Sequence, residues 1–249
     1  MRSKLGKFGA LVKEYKKARR PYPAEVFNFL KKNLTTKDSL ILDLGCGTGI
    51  STRQLTKYGH VIGCDPDVVM LRAAKKYPKI NNEKYVTGYA NNLPFKDRTF
   101  DVVTAFGAFH WFNDRKSISE IRRVLRPGGI IFIVNKMGLK SWGEGYRRMI
   151  IRTIHREVAH FRKNILYKPQ TSLLQNRFKK IKIRAWRKSE LFSIPNALEY
   201  VQSVSIWNSV PALLKSKALD GLKKYFKKMK SEKGEIERKL AVRVVVGTK

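Results

Sequence analysis

The chain has 249 residues and carries 53 Lys and Arg against 19 Asp and Glu, a formal net charge of +34 at pH 7. An apolar share of 43% with 11% aromatics fits a soluble globular protein of one domain plus an elaboration. No apolar run approaches the roughly 20 residues that span a bilayer and no apolar signal segment follows Met1, so the expected location is cytoplasmic.

The excess charge is uneven: +9 in residues 1–37, +5 in 38–135 and +20 in 136–249. Residues 1–37 read as a basic N-terminal helical segment ending at Pro21. The run Leu40-Ile41-Leu42-Asp43-Leu44-Gly45-Cys46-Gly47-Thr48-Gly49 then reads as a buried strand that ends near an acid and opens into a glycine-rich turn. A helix over Ile50–Tyr58 follows, the strand–loop–helix order in which glycines let the backbone approach a ligand. A second strand, Val61–Asp65, ends in an acid placed to take both ribose hydroxyls. Ile50 stands where a dinucleotide fingerprint wants a small residue, and no lysine follows in Walker spacing.

Further strands are expected at Lys84–Tyr89, Phe100–Phe106 and Ile130–Asn135, alternating with helices over Val68–Tyr77 and from Asp114, as N-cap, to Leu125. Arg126-Pro127-Gly128-Gly129 stops the last of these helices. Beyond Asn135 the alternation ceases. A basic amphipathic helix is expected over Glu144–Lys163, with Tyr146, Ile150, Ile154, Val158 and Phe161 on its apolar side and Arg148, Arg152 and Arg156 on another face. An edge strand over Lys179–Trp186, a helical region over Ile194–Lys230 and a last strand over Leu240–Val246 complete the chain. In the helix Leu213–Met229, Leu219, Leu222, Tyr225, Phe226 and Met229 oppose a row of lysines.

The glycine run, Asp65 and the Leu-Arg-Pro-Gly-Gly turn together resemble class I S-adenosylmethionine-dependent methyltransferases, over roughly residues 38–135. Gly88-Tyr89-Ala90-Asn91-Asn92-Leu93-Pro94-Phe95 is similar to the family segment that caps adenine, with Tyr89 and Asn91 in place of its acids. Ala105-Phe106-Gly107-Ala108-Phe109-His110-Trp111-Phe112-Asn113 resembles a stretch of the trans-aconitate methyltransferase-like (methyltransferase type 11) subgroup, with Asn113 in place of the final acid. Tyr15-x-x-x-Arg19-Arg20-Pro21-Tyr22-Pro23 is similar to that subgroup's N-terminal segment.

The resemblance implies a Rossmann-like doubly wound α/β fold: a seven-stranded, mostly parallel sheet whose last strand runs antiparallel. Residues 1–37 would lie over the cofactor site, 38–135 would form the core, and 136–249 would supply a helical lid and the final edge strands. It implies S-adenosylmethionine as cofactor, held by Asp43, Gly45, Cys46, Gly47, Asp65, Pro66, Ala90, Asn91 and Phe106. Arg19 would pair with the cofactor carboxylate, Tyr15 would close over its methionine end, and His110 would act at the methyl group.

Absences narrow the acceptor. There is no Asp/Asn-Pro-Pro-Tyr/Phe motif for exocyclic base amines, no cysteine beyond Cys46 and Cys64, and no Cys/His cluster for a metal. The leading expectation is methyl transfer to an oxygen or nitrogen of a small or medium-sized, anionic acceptor. One alternative is an RNA-directed methyltransferase that uses the basic flanks and the aromatics Trp142, Tyr146, Trp186 and Trp207. Another is a non-catalytic basic module that contacts other partners or an anionic membrane surface.

Overall fold

The computed structural model describes residue 9 and residues 12–36, 38–78, 82–139, 143–155 and 172–249. Their strands are β1 (Ser39–Leu44), β2 (Gly59–Asp65), β3 (Glu83–Thr87), β4 (Phe100–Phe106), β5 (Leu125–Gly138), β6 (Lys179–Phe192) and β7 (Ile236–Thr248). They form one seven-stranded sheet in the order β3-β2-β1-β4-β5-β7-β6. The pairs β1/β2, β1/β4, β2/β3 and β4/β5 are parallel, with Ile41 opposite both Val61 and Val102. Hydrogen bonds from Leu139 N to the Lys239 carbonyl and from Lys249 N to the Gly129 carbonyl run β7 antiparallel to β5.

The helices are α1 (Val12–Ala18), α2 (Ala24–Lys31), α3 (Ile50–Leu55), α4 (Val68–Lys75), α5 (Arg115–Val124), α6 (Gly143–His155), α7 (Ser172–Gln175), α8 (Ile194–Gln202) and α9 (Lys215–Met229). Their starts follow local chemistry. Asp67 accepts from Val69 N and Met70 N at the start of α4, and Asp114 accepts from Ser117 N at the start of α5. Ser193 does the same for α8 through Asn196 N.

The strand bounds differ from the sequence expectation where pairing, not hydropathy, sets the end. β5 begins at Leu125 because Leu125 already sits opposite Phe100, while Ile130 sits opposite Val102. The exposed Arg126–Gly128 stretch bulges out between those two pairs. β3 stops at Thr87, so Gly88 and Tyr89 belong to the following turn.

The chain groups into two compact units. The sheet unit comprises Pro21–Lys136, Tyr167–Ala185 and Val242–Lys249. Its core joins Leu42, Leu44, Phe100, Val103, Phe109, Ile118, Ile121, Ile131 and Ile133 to Leu174, Phe178 and Val245. The helical unit takes the described residues within Met1–Arg20, Met137–Leu166 and Trp186–Ala241. This grouping does not follow three consecutive segments, because late strand residues return to the first unit.

The helical unit has a core of its own, built from Ala18, Tyr146, Ile150, Ile154, Tyr200, Val201, Trp207, Leu222 and Phe226. The apolar stripe of α9 is therefore spent internally, with Leu222 and Phe226 fully buried. Leu219, Tyr225 and Met229 of the same stripe are half-buried against that core. Tyr146 and Trp207 are likewise core residues and present no stacking platform. Val158, Phe161, Arg156 and Trp142 lie outside the described residues. No described helix is long and apolar enough to cross a membrane.

Candidate active site

In an open α/β sheet the C-terminal strand ends are where a ligand finds free backbone, above all where the strand order reverses. Here that point is β1, flanked by β2 on one side and β4 on the other. Gly45 N and Cys46 N both donate to the Cys64 carbonyl, which folds the glycine loop over the end of β2. Gly47 N donates to Asp65 Oδ2 at 2.9 Å, and Asp67 N donates to Oδ1 at 2.9 Å. Each Asp65 oxygen thus holds one backbone N–H and keeps a lone pair for another donor. Burial raises the Asp65 carboxyl above its ordinary value, and the two N–H bonds oppose that rise.

The loop glycines have different duties. A Cβ on Gly45 would lie 2.5 Å from Ala108 Cβ, so the glycine admits the β4–α5 connection. A Cβ on Gly47 would meet nothing within 4 Å, although its φ of +54° equally favours glycine. Gly47 thus combines an open Cβ direction with an N–H that binds the Asp65 carboxylate.

Asp43 is fully buried. Its oxygens accept from Ser51 Oγ and Thr52 Oγ1, both at 2.7 Å, and from Thr104 Oγ1 at 2.9 Å. It therefore ties β1 to α3 and β4 and shapes the loop from behind. Burial raises its carboxyl to about 6, against the lowering effect of the three hydroxyls. Cys46 and Cys64 are free, buried thiols, both pushed up by burial, Cys64 to about 12. The Cys46 thiol is tucked toward Gly63, leaving the backbone as that residue's contribution to the loop.

The other expected residues divide. Pro66 is half-buried and leads into α4. Ala90 packs on the core, and the exposed Asn91 sits in a tight turn closed by Asn92 N donating to the Tyr89 carbonyl. Phe106 is buried, with its ring packed against those of Tyr22, Phe27 and Phe132. His110 is exposed in a short 3₁₀ turn, Phe109–Trp111, with its ring 4.8 Å from that of Trp111. Tyr15 and Arg19 belong to the helical unit. There the Arg19 guanidinium donates to the Ser203 carbonyl and stacks on the rings of Tyr15 and Tyr200.

Further residues, some quoted above only as parts of motifs, acquire a definite setting in the structure. Tyr22 N and O exchange hydrogen bonds with the Gln54 side chain, both at 2.9 Å, and its hydroxyl lies over Gly107 at the end of β4. The surrounding Pro21 and Pro23 are the only sequence signal for such a strap. Val68, Val69 and Tyr89 are between 45% and 49% exposed; the two valines open α4 just after Asp65, and Tyr89 follows β3, the strand paired with β2. Two buried polar atoms also lack a hydrogen-bond partner among the described residues, Thr48 Oγ1 in the glycine loop and Asn113 Oδ1 after the 3₁₀ turn.

With that geometry in hand, comparisons with known proteins agree on one family. The family described as "Methyltransferase domain" matches residues 42–133. An uncharacterized methyltransferase of Mycobacterium tuberculosis is 34% identical over 128 residues, 51% of either chain. The chain thus spans about half the length of the curated relatives it matches. Among solved structures, a putative methyltransferase from an antibiotic biosynthesis pathway of Anabaena variabilis superposes with a TM-score of 0.63 at 21% identity, covering 92% of this chain and 99% of its own. Phosphoethanolamine N-methyltransferase 2 of Haemonchus contortus, solved with phosphomonomethylethanolamine and S-adenosylhomocysteine, gives 0.56 at 19% identity, covering 97% of this chain and 58% of its own. Residues 42–133 are a methyltransferase domain, on the fold of the class I S-adenosylmethionine-dependent methyltransferases.

Proposed function

We propose that the protein is an S-adenosylmethionine-dependent methyltransferase that acts on an oxygen or nitrogen of a small or medium-sized, anionic acceptor. The observation that carries this reading is the pairing of Gly47 and Asp65: an open backbone position beside a carboxylate with acceptor capacity to spare. The residues present fit the cofactor. Asp65 takes the ribose hydroxyls, the Gly47 backbone lets the methionine end approach, and Val68, Val69 and Tyr89 give a flat base an apolar surface beside Asn91. The unpartnered Thr48 and Asn113 oxygens are further polar groups that a bound molecule or water would satisfy.

When bound, the cofactor supplies a methyl group on a cationic sulfonium. The chain's own part is then alignment, since an in-line displacement needs the acceptor held on the methyl's far side. The segment from Gly107 to Asn113, which follows β4, would border that side, and the exposed His110 would take the proton from a hydroxyl acceptor. A carboxylate acceptor needs no base at neutral pH. The solved nematode enzyme of this fold holds the demethylated cofactor together with a phosphorylated acceptor, which supports an anionic acceptor here.

Calorimetry tests the cofactor assignment. The wild-type chain should bind S-adenosylmethionine, and Asp65→Ala should lose about 1–3 kcal/mol of binding free energy, because two ribose hydroxyls are left unpaired. No binding by the folded wild-type chain, or equal affinity in the variant, overturns the reading. His110→Ala separates acceptors: a hydroxyl acceptor should lose roughly 10²–10⁴-fold in rate, a carboxylate acceptor far less.

A further inference from the structure

Helix α5 carries an imbalance of charge that the proposed chemistry does not use. The acids around it are engaged elsewhere: Glu120 and Asp97 pair with Arg123, Asp101 pairs with Arg126, and Asp114 caps the helix. Arg98, Arg115, Arg122 and Arg177 have no ion pair with an Asp or Glu side chain among the described residues. At the N-terminal end of α5, Arg115, Ile118, Asn176 and Arg177 line a cleft of about 300 Å³. Hydrogen bonds from Arg177 N and Phe178 N to the Leu174 carbonyl hold that wall in place. One residue further on, the Arg122 guanidinium lies over the Phe178 ring at 5.6 Å. Burial first, then the charges of Arg122 and Arg98, pull the Lys249 ammonium below its ordinary value, so the cations continue past the C-terminal end of α5.

We propose that this face of α5, with the cleft at its N-terminal end, is a docking track for the phosphodiester backbone of a nucleic acid. Arg115 and Arg122 are seven residues apart, about 10.5 Å along the helix, so a single small anion cannot bridge them. A guanidinium fork suits phosphate oxygens, and an amide such as Asn176 adds a neutral donor. A lipid surface fits less well, because among the described side chains no exposed large apolar one lies on α5 and Leu174 of α7 is buried. Phe178 is buried beneath Arg122, so the contacts offered by the described track residues are to phosphate and carry no sequence information. The track differs from the arginine face of α6 expected from sequence, and it does not rest on the methyl-transfer reading.

Fluorescence anisotropy of the full chain with a labelled single-stranded RNA, across ionic strengths from about 50 to 200 mM, tests it. Single-strand contacts each add about 0.7 to the slope of log affinity against log salt. Arg115→Glu/Arg122→Glu/Arg177→Glu should therefore lower the slope by about 2 and weaken low-salt binding at least about tenfold. Lys223→Glu/Lys224→Glu/Lys228→Glu on α9 changes net charge equally and should weaken binding far less. Equal losses in the two variants mean general charge attraction and overturn the track. So does binding of inorganic phosphate, or of phosphatidylserine vesicles, that needs the same three arginines while RNA does not bind. Thermal melting and cofactor affinity check both variants. If the triple arginine variant does not fold, Arg177→Gln alone should still lower RNA affinity, and an unchanged affinity overturns the proposal.

Discussion

The sheet unit and the helical unit each bury a charged side chain, and they stabilise it by opposite means. In the sheet unit Asp43 is fully buried with three hydroxyl donors. In the helical unit Arg238, 5% exposed, donates to Glu190 at 2.7 Å and stacks on Tyr200 at 4.4 Å. Neutral donors leave desolvation uncompensated, so the proton affinity of Asp43 moves toward neutrality. An opposite charge compensates desolvation directly and fixes geometry instead. The two sites join different elements: Asp43 ties β1 to α3 and β4, while Arg238 ties β7 to β6.

The largest effect expected from breaking this comparison is in the helical unit. Glu190→Ala leaves the Arg238 guanidinium buried without its carboxylate and should cost about 3–5 kcal/mol in a urea titration. A cost near that of an exposed pair, below about 1 kcal/mol, would show that water reaches the site freely.

Next comes the pH dependence of the sheet unit. The folded-state value of Asp43, about 6, is raised above its ordinary 3.8. As pH climbs from about 4 to 6 the unfolded chain releases this proton first, so stability falls as pH rises. The full difference is about 3 kcal/mol, present as a penalty at neutral pH and absent below about pH 4. Asp43→Asn should remove that part of the slope when urea titrations at pH 4 and pH 7 are compared with the wild-type chain. Equal slopes would mean Asp43 ionises in the fold as easily as out of it.

The smallest effect sharpens the comparison inside the site. Gly47→Ala adds left-handed strain of about 1–2 kcal/mol and nothing else, because the added carbon meets open space. Gly45→Ala adds the same strain plus about 1–3 kcal/mol of overpacking against Ala108. Melting temperatures should rank Gly45→Ala lower, while calorimetry should show Gly47→Ala weakening the cofactor despite its better fold. If Gly47→Ala binds normally, the open direction does not face the ligand.

Apolar runs made β1, β2 and β4 legible because these strands are interior to a parallel sheet, where both faces are covered and hydropathy is continuous. β6 is the edge strand: its exposure alternates over residues 186–192, while the expected span Lys179–Trp186 is exposed along most of its length. The strand ends were less legible, since the pairing of Leu125 with Phe100 depends on a strand 25 residues away. Among site residues, the glycine loop and Asp65 were legible because geometry and an acid leave a local signature. Phe106 and Asp43 were placed along the chain, but the neighbours that cover them were not legible, because the pattern shows a strand end without showing what packs on it. Tyr22 was missed as a strap because its partner Gln54 lies 32 residues ahead.

The amino-acid sequence by itself determined the order of strands and helices, the glycine loop over β1 and the acid at the end of β2, since each follows from local periodicity or a local backbone requirement. Only tertiary structure decided that Asp43 faces three hydroxyls, that Arg19 turns to the Ser203 carbonyl and that the α9 stripe is buried in its own unit. Those outcomes depend on which distant surfaces compete for a side chain, and burial and hydrogen bonding settle that competition only once the chain has closed on itself.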